Sequence, residues 1–379
     1  MRIAHVTDFY LARVGGIERQ VHQLAQRQAR AAHQVHVVTS TRGPDTSGVD
    51  SLRVHRLGSP RIPHAGPVSP RAWVELPRVL DEIDPDVVHI HASVGSPLAL
   101  TAGLSWGRSR RPTVVSVHSM WAHLARPYRA IFTATGVLRH PIVWTAVSRA
   151  AARQVQSAVG PAQHVRVLPN GIDPNRWRRP STKPRLDVHV VAVLRLTARK
   201  RPLALLDVLR RARDTLPAQV RMRASVIGDG RRRWAAERYL TRHGMSWVNL
   251  LGTRSPAQVR DALHDADVFL ATARLESFGI AALEARCAGV PVIALAQTGV
   301  ADFVRHGREG LLAADDDHLV ASLVRLAGSP DVRAAIAAHN HARLPSANWA
   351  VTLAAAEQAY ADAAALVGAS RAVPVARTG

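Results

Sequence analysis

Residues 271–295 contain a predicted helix start at Gly279 with a glutamate on either side of it, and such a helix start could bind an anionic ligand. The segment reads ATARLESFGIAALEARCAGVPVIAL, with Glu276 ahead of a predicted helix and Glu284 inside it. The first turn of such a helix presents unpaired backbone N–H groups and the positive end of the helix dipole, which together bind phosphate. The amides concerned are those of Phe278, Gly279, Ile280 and Ala281. Glu284 would need a polar partner such as a ribose or a sugar hydroxyl if it is buried; the alternative is a surface glutamate on an amphipathic helix.

A second group of residues that could bind an anion follows a predicted strand in the sequence VLRLTARKRP, residues 193–202. Arg195 comes at the carboxyl end of that strand, and Lys200 follows five residues later. Two cations in this place can hold a diphosphate and stabilise the negative charge that develops on a leaving group. Among 50 basic residues only Lys183 and Lys200 are lysines, which favours a selected position for Lys200 over a solvated basic loop.

The first half of the chain offers weaker signals for a binding site. Gly15 and Gly16 follow the first predicted strand at a helix start, in a turn that could cradle a phosphate, although the G-x-G-x-x-G spacing of a dinucleotide site is absent. His118 ends a predicted strand and could donate a hydrogen bond to a substrate hydroxyl or phosphate; the alternative is a structural histidine. His89 and His91 alternate with apolar residues, and we expect them to face opposite sides of one strand in structural roles.

Several carboxylate groups have metal-binding spacing in the wrong position for a ligand site. The Asp-Pro-Asp at 84–86 and the Asp-Ala-Asp at 265–267 each precede a strand, whereas ligands of open parallel sheets bind beyond the carboxyl ends of strands. The three aspartates at 315–317 are typical of a helix N-cap. Histidine and cysteine do not form a cluster with zinc-site spacing. We therefore expect no metal and no cofactor other than a co-substrate.

Short apolar strands alternate with helical patterns along most of the chain, which predicts parallel sheets covered by helices on both faces. Residues 173–187 contain three prolines and no apolar period, so we predict a linker there. The pattern predicts an α/β fold of two Rossmann-like, doubly wound domains facing a central cleft. The expected ranges are 1–172 for the first domain, 188–345 for the second and 346–367 for a final helix. Within the first domain the pattern predicts helices only at 17–32 and 70–83, and it places the sixth strand at 145–148.

The charge of the chain is large but evenly spread. Of 379 residues 50 are basic and 28 acidic, for a formal net charge of +22, and residues 1–170 carry half of that excess. A nucleic-acid-binding protein usually concentrates its charge in a stripe, patch or tail, and aromatic residues that could stack on bases make up only 4% of the chain. We therefore expect no nucleic acid partner and interpret the charge as attraction to phosphorylated ligands or to an anionic membrane.

Other features of the sequence indicate the compartment. Cys287 is the only cysteine, which excludes an intrachain disulfide and fits a reducing environment. The first residues run into a strand pattern without the apolar segment of a secretory signal, and no apolar run is long enough to span a bilayer. We expect a cytoplasmic protein that associates, if at all, peripherally with the inner face of the membrane.

A membrane contact, where one forms, is expected in the first domain. Basic residues there lie close in sequence to apolar and aromatic ones that could insert shallowly into an anionic surface. The basic group is Arg108, Arg110, Arg111, Arg126 and Arg129, and the other group is Met120, Trp121, Leu124 and Tyr128. The alternative is that the aromatic residues pack inward and the arginines are only solvated.

Taken together, these segments resemble the GT-B retaining glycosyltransferases of the family called glycosyl transferases group 1. The resemblance covers nearly the whole chain. Its most specific element, ESFGIAALE, matches the family's E-x7-E signature at Glu276 and Glu284, and GVPVIA, TGVAD and GREGLL match the usual continuation. VLPNGID, VLRLTARKRP and VGGIE resemble the inter-domain segment, the Arg/Lys element and the glycine loop of the first domain.

The resemblance implies a role for each matching residue. Glu276 would contact hydroxyls of the donor sugar, and Glu284 would contact the nucleotide ribose. Arg195 and Lys200 would hold the diphosphate. The remaining positions implied are the backbone amides of Phe278, Gly279 and Ile280 on the donor, Gly15 and Gly16 beside the donor phosphate or acceptor, and His118 against the transferred sugar. The last helix would pack back on the first domain, and no metal would be needed.

The chain departs from the family pattern at a few positions. The family's glycines before the arginine and after the lysine are Leu194 and Arg201 here, and its G-G-x-x-E reads TGVAD at 298–302. The charged residues are kept. The changes leave the donor open between UDP and GDP sugars.

The resemblance implies transfer of a hexosyl group from a nucleotide-diphosphate sugar to an acceptor hydroxyl, with retention at the anomeric carbon. The acceptor would belong to a glycolipid or polysaccharide precursor. His118, Arg195, Lys200 and Glu276 would be the catalytic residues. Two alternatives stay open. One is a nucleotide-sugar epimerase of the related two-domain fold, which the two glutamates disfavour. The other is a non-enzymatic anion or nucleic-acid binder, which the even charge disfavours.

Overall fold

The computed structural model describes residues 1–11, 15–44, 49–57, 70–108, 111–178 and 187–372. The chain divides into two compact units. The first unit comprises Met1–Gly171 together with the segment from Trp349 onwards, and the second comprises Ile172–Asn348. Each unit contains one parallel sheet, so the α/β fold of two doubly wound halves predicted from the sequence is confirmed.

The described part of the first unit is built on a sheet of seven parallel strands in the order β3-β2-β1-β4-β5-β6-β7. The strands are β1 (Arg2–Thr7), β2 (Gln34–Thr39), β3 (Leu52–Arg56), β4 (Val87–Ala92), β5 (Thr113–Val117), β6 (Ile142–Ala146) and β7 (Val165–Val167). The strands are rich in Val, Ile and Thr, because β-branched side chains pack well on a pleated surface. Strands β5 and β6 are buried along their whole length, as parallel strands covered on both faces must be. The helices between these strands are α1 (Gly16–Arg30), α2 (Pro70–Ile83), α3 (Pro97–Arg108), α4 (Ala125–Thr135) and α5 (Arg149–Val159).

The second unit repeats this plan with a parallel sheet in the order β10-β9-β8-β11-β12-β13. Its strands are β8 (Asp187–Val193), β9 (Arg221–Ile227), β10 (Val248–Gly252), β11 (Val268–Ala271), β12 (Val292–Leu295) and β13 (Gly310–Ala313). Its helices are α6 (Pro174–Trp177), α7 (Pro202–Thr215), α8 (Arg233–Arg242), α9 (Pro256–His264), α10 (Ile280–Cys287), α11 (Asp316–Gly328) and α12 (Pro330–Ala342). One apolar core of strand and helix side chains holds the unit together.

The final helix, α13 (Trp349–Ala372), returns to the first unit. Its buried positions recur every three or four residues, which gives an α-helix one apolar face. That face contacts the central strands of the first sheet in a common core. The buried helix residues are Ala356, Ala359, Tyr360 and Ala363, and the sheet side contributes Ile3, Val87, Val114, Val143 and Leu168. The predicted range for this helix was 346–367.

In both sheets the strand order reverses at the first strand, and this reversal determines where a ligand can bind. Strand β1 lies between β2 and β4, and β8 lies between β9 and β11. The crossover connections leave such a strand and its neighbour on opposite faces of the sheet, which opens a crevice at the carboxyl ends of the two strands. The loops after β8 and β11 therefore meet at the switch point of the second sheet.

The structure differs from several local expectations. The segment predicted as a linker begins with helix α6, whose Trp177 is buried; residues 179–186 lie outside the described residues. The sixth strand begins at Ile142 rather than 145. Helices α3, α4 and α5 and strand β13 were not predicted. The apolar periodicity of α3 is weak and β13 has only four residues, whereas α4 and α5 have amphipathic sequences that could have been recognised.

No helix among the described residues has the length and apolar character that crossing a membrane requires. The expectation of shallow insertion from the first unit is wrong for two of its residues. Met120 and Trp121 are buried, and the Trp121 ring packs against Tyr128, with 4.4 Å between the ring centroids. Arg126 and Arg129 are exposed, whereas Arg110 lies outside the described residues.

Candidate functional site

The loops after β8 and β11 bring opposite charges together at the switch point of the second sheet. Lys200, in the loop after β8, donates from Nζ to Oε2 of Glu276, in the loop after β11, over 2.5 Å. The two side chains are 22% and 20% exposed. The pair is therefore within reach of a ligand, yet it is partly shielded from water, which strengthens the attraction between the charges.

The loop after β12 holds Glu276 in this place. The N–H of Gly299 donates to the backbone carbonyl of Glu276 at 2.9 Å. A Cβ atom on Gly299 would lie 2.0 Å from the carbonyl oxygen of Ser277, so a larger residue fits only if the loop moves. Gly279 has a φ of +91°, and a Cβ there would come within 2.6 Å of Val300. Glycine at both positions lets the two loops interlock.

Arg201 connects the Lys200 loop by hydrogen bonds to the end of β11 and to the start of α11. It precedes α7 with a φ of +56°, a left-handed conformation that costs a residue with a Cβ about 1–2 kcal/mol. Its guanidinium donates to both carboxylate oxygens of Asp316 at the start of α11 and to the carbonyl of Thr272 after β11. These bonds offset the strain and position Lys200 beside Glu276.

The carboxylate of Glu276 also takes up backbone donors at the beginning of α10. It accepts hydrogen bonds from the N–H groups of Phe278 and Gly279 as well as from Lys200. Burial alone would raise the pKa of Glu276, but Lys200 and the two amides outweigh it and hold the pKa below its ordinary value. Glu276 is therefore ionised at neutral pH. The sequence predicted these two amides as donors to a diphosphate, whereas here they bind Glu276, and Ile280 begins the helix after them.

Arg199 is a further basic residue of this group, and the sequence analysis missed it. Burial lowers the pKa of Arg199, the charge of Glu276 raises it and that of Arg195 lowers it, so the three side chains lie within electrostatic range of one another. Arg195 is exposed after the carboxyl end of β8. The available signal was the place of Arg199 directly before Lys200. Positive charge exceeds negative charge in this group, so it attracts anions.

Glu284 lies on α10 with only 7% of its surface exposed, so the alternative of a surface glutamate is wrong. Its neighbours Leu283 and Ala285 are buried as well. A buried carboxylate requires polar partners. The ribose contact that the family resemblance implies for Glu284 stays a prediction.

In the first unit, the protein's own carboxylates cover two helix N-termini. Gly15 is the N-cap of α1, and a Cβ on it would lie 2.1 Å from Oε2 of Glu18, which folds back over the turn. Asp8, after β1, accepts a hydrogen bond from the N–H of Leu98 in the first turn of α3 at 3.0 Å. The turn at Gly15 and Gly16 that the sequence predicted as a phosphate cradle thus already holds a carboxylate.

Histidines of neighbouring strands form a continuous hydrogen-bonded chain in the first unit. Nε2 of His118 lies 2.9 Å from Nδ1 of His91, whose Nε2 lies 2.9 Å from Nδ1 of His5. Nε2 of His5 lies 2.7 Å from the amide oxygen of Gln28. The expectation that His89 and His91 face opposite sides of β4 is wrong. Their ring centroids are 4.2 Å apart, because residues two apart on a strand share a face.

The hydrogen-bonded chain continues from Gln28 to the final helix and back to the sheet. The Gln28 amide nitrogen donates to the Tyr360 hydroxyl at 2.9 Å, and that oxygen lies 2.9 Å from Nδ1 of His89. Nε2 of His89 lies 2.7 Å from Oγ of Ser116, which lies 2.6 Å from Oγ1 of Thr145. All five residues are buried. Such a network stabilises a core because its buried polar groups hydrogen-bond to one another.

The protonation of these histidines sets the direction of the hydrogen bonds. Burial lowers the pKa of His5 and His118 to about 4 and that of His89 and His91 well below 6.5, so each ring is neutral at pH 7 and has one N–H. Because the Gln28 nitrogen donates to α13, its oxygen accepts from His5, which leaves His5 to accept from His91 and His91 to accept from His118. His118 therefore has its proton on Nε2, so its buried Nδ1 is an acceptor and not the donor expected from the sequence.

His5, His89 and His91 also have ligand atoms within 4.8 Å of one another, a spacing that could hold a metal ion. Both nitrogens of each ring, however, take part in the hydrogen bonds of this chain. A metal would have to replace several of those bonds. We therefore interpret the cluster as a hydrogen-bonded network that joins α1, the sheet and α13.

Two family models match the chain. The model described as Glycosyltransferase Family 4 matches residues 14–176, and the model described as Glycosyl transferases group 1 matches residues 187–329. Together they span most of both units. The chain belongs to the group 1 glycosyltransferases, and its activity class is glycosyl transfer. The comparisons give no support to the epimerase alternative.

Relatives and a solved structure agree with this family. The chain is 25% identical to the glycogen synthase of Mycobacterium tuberculosis over 338 residues, 80% of each protein. It is 26% identical over 368 residues to the GDP-mannose-dependent monoacylated alpha-(1-6)-phosphatidylinositol monomannoside mannosyltransferase of Corynebacterium glutamicum, covering 91% of this chain and 93% of that one. The crystal structure of Anabaena HepE in complex with UDP and glucose matches with a TM-score of 0.76 at 19% identity, over 95% of this chain and 99% of that one. The shared fold is GT-B.

Proposed function

We propose that this protein transfers a hexosyl group from a nucleotide-diphosphate sugar to an acceptor hydroxyl, with retention at the anomeric carbon. The observation that carries the proposal is the Lys200–Glu276 pair at the start of α10, with Arg195 and Arg199 in electrostatic range. Cations and a helix N-terminus at a switch point suit a diphosphate. A carboxylate beside them suits the hydroxyls of the attached sugar.

The donor is proposed to be a UDP or a GDP sugar. The Anabaena protein was crystallised with UDP and glucose, and the corynebacterial relative is named as GDP-mannose-dependent. Arg195 and Lys200 would hold the diphosphate together with the amide of Ile280. The buried Glu284 would bind the ribose.

The transfer needs no protein nucleophile. The acceptor oxygen attacks the anomeric carbon while the bond from that carbon to the phosphate oxygen breaks. The electron pair leaves with the nucleoside diphosphate, and the acceptor proton passes to a phosphate oxygen on the same face. Arg195 and Lys200 would stabilise the negative charge on the leaving group, and His118 would contact the transferred sugar. Because the chain itself supplies these positive charges, we propose that turnover does not depend on a divalent metal.

A thermal-shift panel of UDP, GDP and ADP tests the donor site. A ligand at a hundred times its Kd stabilises the native state by about 2.7 kcal/mol, so the matching nucleotide should raise Tm by several degrees in the presence of EDTA. The corresponding nucleotide sugars are then assayed for release of the nucleoside diphosphate. The absence of both a Tm shift and nucleotide release with every candidate would contradict the proposal.

The substitution Lys200→Met tests the proposed role in transition-state stabilisation. We expect kcat to fall by about 10²–10³, the effect of removing one preorganised donor to a developing negative charge. The matched control is Arg325→Met, which removes a cation from the exposed surface of α11 and should leave kcat unchanged. A Lys200 variant with a raised KM and an unchanged kcat would reduce the role of Lys200 to binding.

A further inference from the structure

The carboxylate of Glu276 accepts hydrogen bonds from groups at the start of α10 that could otherwise bind an anionic ligand. This carboxylate accepts from the ammonium of Lys200 at 2.5 Å and from the amides of Phe278 and Gly279. The sequence pattern assigns all three donors to a diphosphate, and the proposed function assigns Lys200 to the diphosphate of the sugar donor. One carboxylate and one diphosphate cannot both take full hydrogen bonds from them.

The loop that holds Glu276 is anchored through its backbone. The carbonyl of Glu276 accepts from Gly299, and Gly279 packs against Val300. Arg201 anchors the Lys200 side of the pair through Asp316. The side chain of Glu276 can therefore change its rotamer while both loops stay in place.

We propose that Glu276 is the resident anion of the phosphate subsite, that the incoming diphosphate displaces its carboxylate from Lys200 and the two amides, and that the released carboxylate then binds the hydroxyls of the transferred sugar. This inference rests on the proposed function and concerns the same site. The exchange keeps Lys200 neutralised before the donor binds. It also makes release of Glu276 a part of donor binding.

The exchange predicts that removing the charge of Glu276 tightens the binding of phosphate ligands instead of weakening it. A residue that only binds sugar hydroxyls has no effect on a ligand without a sugar. A residue that competes for the phosphate donors weakens every phosphate ligand, including one without a sugar. Hydrogen bonds to a charged group contribute about 1.5–3 kcal/mol, so removal of the competing charge should tighten diphosphate binding at least about tenfold.

The experiment measures the Kd of UDP, GDP and inorganic pyrophosphate by calorimetry for the wild type, Glu276→Gln and Glu276→Asp. The glutamine keeps the size of the side chain without its charge, and the aspartate keeps the charge on a chain too short to reach Lys200 and both amides. The control is Asp317→Asn, which changes the net charge equally at an exposed residue of α11 (79% exposed). Melting temperatures show that each variant is folded.

We expect both Glu276 variants to bind pyrophosphate and the preferred nucleotide at least about tenfold more tightly than the wild type, with the Asp317 variant unchanged. Equal or weaker binding by both variants would overturn the exchange. Tighter pyrophosphate binding without any nucleotide preference would support the exchange and count against the proposed function. If neither the wild type nor a folded Glu276 variant bound pyrophosphate, the exchange would be overturned as well.

Discussion

At the scale of single residues, Glu309 links helix α10 to Arg305 and to His339 of α12 through ion pairs and hydrogen bonds. Its side chain is 1% exposed and accepts from the backbone and guanidinium of Arg305 and from His339. It also lies 3.7 Å from the guanidinium of Arg286, a residue of α10 that is 8% exposed. Arg286 donates in addition to the carbonyl of Phe303. The helix whose beginning holds Glu276 is therefore fixed near its end by a buried ion-pair network.

The substitution Glu309→Gln should destabilise the second unit by about 3–5 kcal/mol, because it leaves the buried charge of Arg286 without its counter-ion. The free energy of unfolding from urea titration at pH 7 measures the loss. The control Asp317→Asn breaks an exposed pair with Arg211, and such pairs contribute at most about 1 kcal/mol. Equal effects of the two substitutions would show that the Glu309 network does not stabilise the unit.

The pH dependence of this difference follows from the pKa of Glu309. Burial raises the pKa, but the bonds from Arg305 and His339 outweigh burial and lower it to about 2. An acid with a lower pKa in the folded state stabilises the fold above its unfolded pKa, here 4.5, and that contribution disappears as the pH falls towards 2. The difference in the free energy of unfolding between wild type and Glu309→Gln should therefore become smaller below pH 4.5.

Residue types and spacing predicted the charged members of the candidate site but not how they pair. Arg195, Lys200 and Glu276 could be identified because they follow strands whose carboxyl ends share one edge. The pairing of Lys200 with Glu276, and the use of the Phe278 amide by that carboxylate, depend on loop conformations that no period encodes. Arg199 was missed because its one signal, its place directly before Lys200, does not distinguish it from the other basic residues of the same loop.

At the scale of elements, the contact between the loops after β11 and β12 positions Glu276. The substitution Gly299→Ala places a Cβ 2.0 Å from the carbonyl oxygen of Ser277, a backbone atom that can yield only with its loop. We expect a loss of about 1–3 kcal/mol in stability and weaker binding of the nucleotide, measured by Tm and Kd.

The control for this loop contact is Gly328→Ala at the end of α11. A Cβ there would meet its nearest atom, on Leu216, at 3.8 Å, which is ordinary contact. We expect unchanged nucleotide affinity and stability equal to or slightly above that of the wild type. Normal nucleotide binding by the Gly299 variant would mean that the loop contact does not position the site.

The final helix is tied to the first sheet by a polar bond as well as by its apolar face. The substitution Tyr360→Phe removes the hydroxyl that accepts from Gln28 and bonds His89. We expect a loss of about 1–3 kcal/mol, because buried polar groups are left unsatisfied. In the control Tyr239→Phe the lost hydroxyl is half-buried and bonds Asp207, so the loss should stay under about 1 kcal/mol. A Tyr360 variant as stable as wild type would exclude this tie.

The strands were predictable and several helices were not, for physical reasons. Strands buried on both faces read as continuous runs of Val, Ile and Thr. This pattern places the first two strands at 2–7 and 35–39, within one residue of the observed bounds of β1 and β2. Helix α4 was missed although its sequence is amphipathic; it contains a proline near its start and a single buried residue, Phe132. Strand β6 begins three residues earlier than predicted, although Ile142 and Val143 are β-branched and favour a strand.

At the scale of the whole molecule, the two sheets have the same strand order around β1 and β8. Among the described residues, a cationic group lies at the switch point of the second sheet and not at that of the first. In the second unit, the three positive charges of Lys200, Arg195 and Arg199 outnumber the single negative charge of Glu276. In the first unit the helix starts hold Glu18 and Asp8, and the neighbouring histidines are neutral. We therefore expect the donor phosphate to bind the second unit.

The net charge of +22 leads to the last prediction, which concerns the acceptor. We propose that α4 contacts an anionic membrane to reach a lipid-linked acceptor. Met120 and Trp121 are buried, so the contact would be electrostatic, through exposed Arg126 and Arg129 beside Ile131, which is 38% exposed. Each arginine near an anionic surface contributes about 1 kcal/mol. Arg126→Gln with Arg129→Gln should therefore weaken binding to phosphatidylserine vesicles roughly 30-fold.

Co-sedimentation at two salt concentrations measures this contact. The wild type should bind anionic vesicles at low salt, lose most of that binding at high salt because screening acts on exposed charges, and ignore neutral vesicles. The control pair Arg308→Gln with Arg325→Gln removes the same charge from exposed positions of the second unit. If the control pair lost as much binding as the α4 pair, the net charge and not α4 would be responsible. Absence of binding by the wild type at low salt would favour an acceptor in solution.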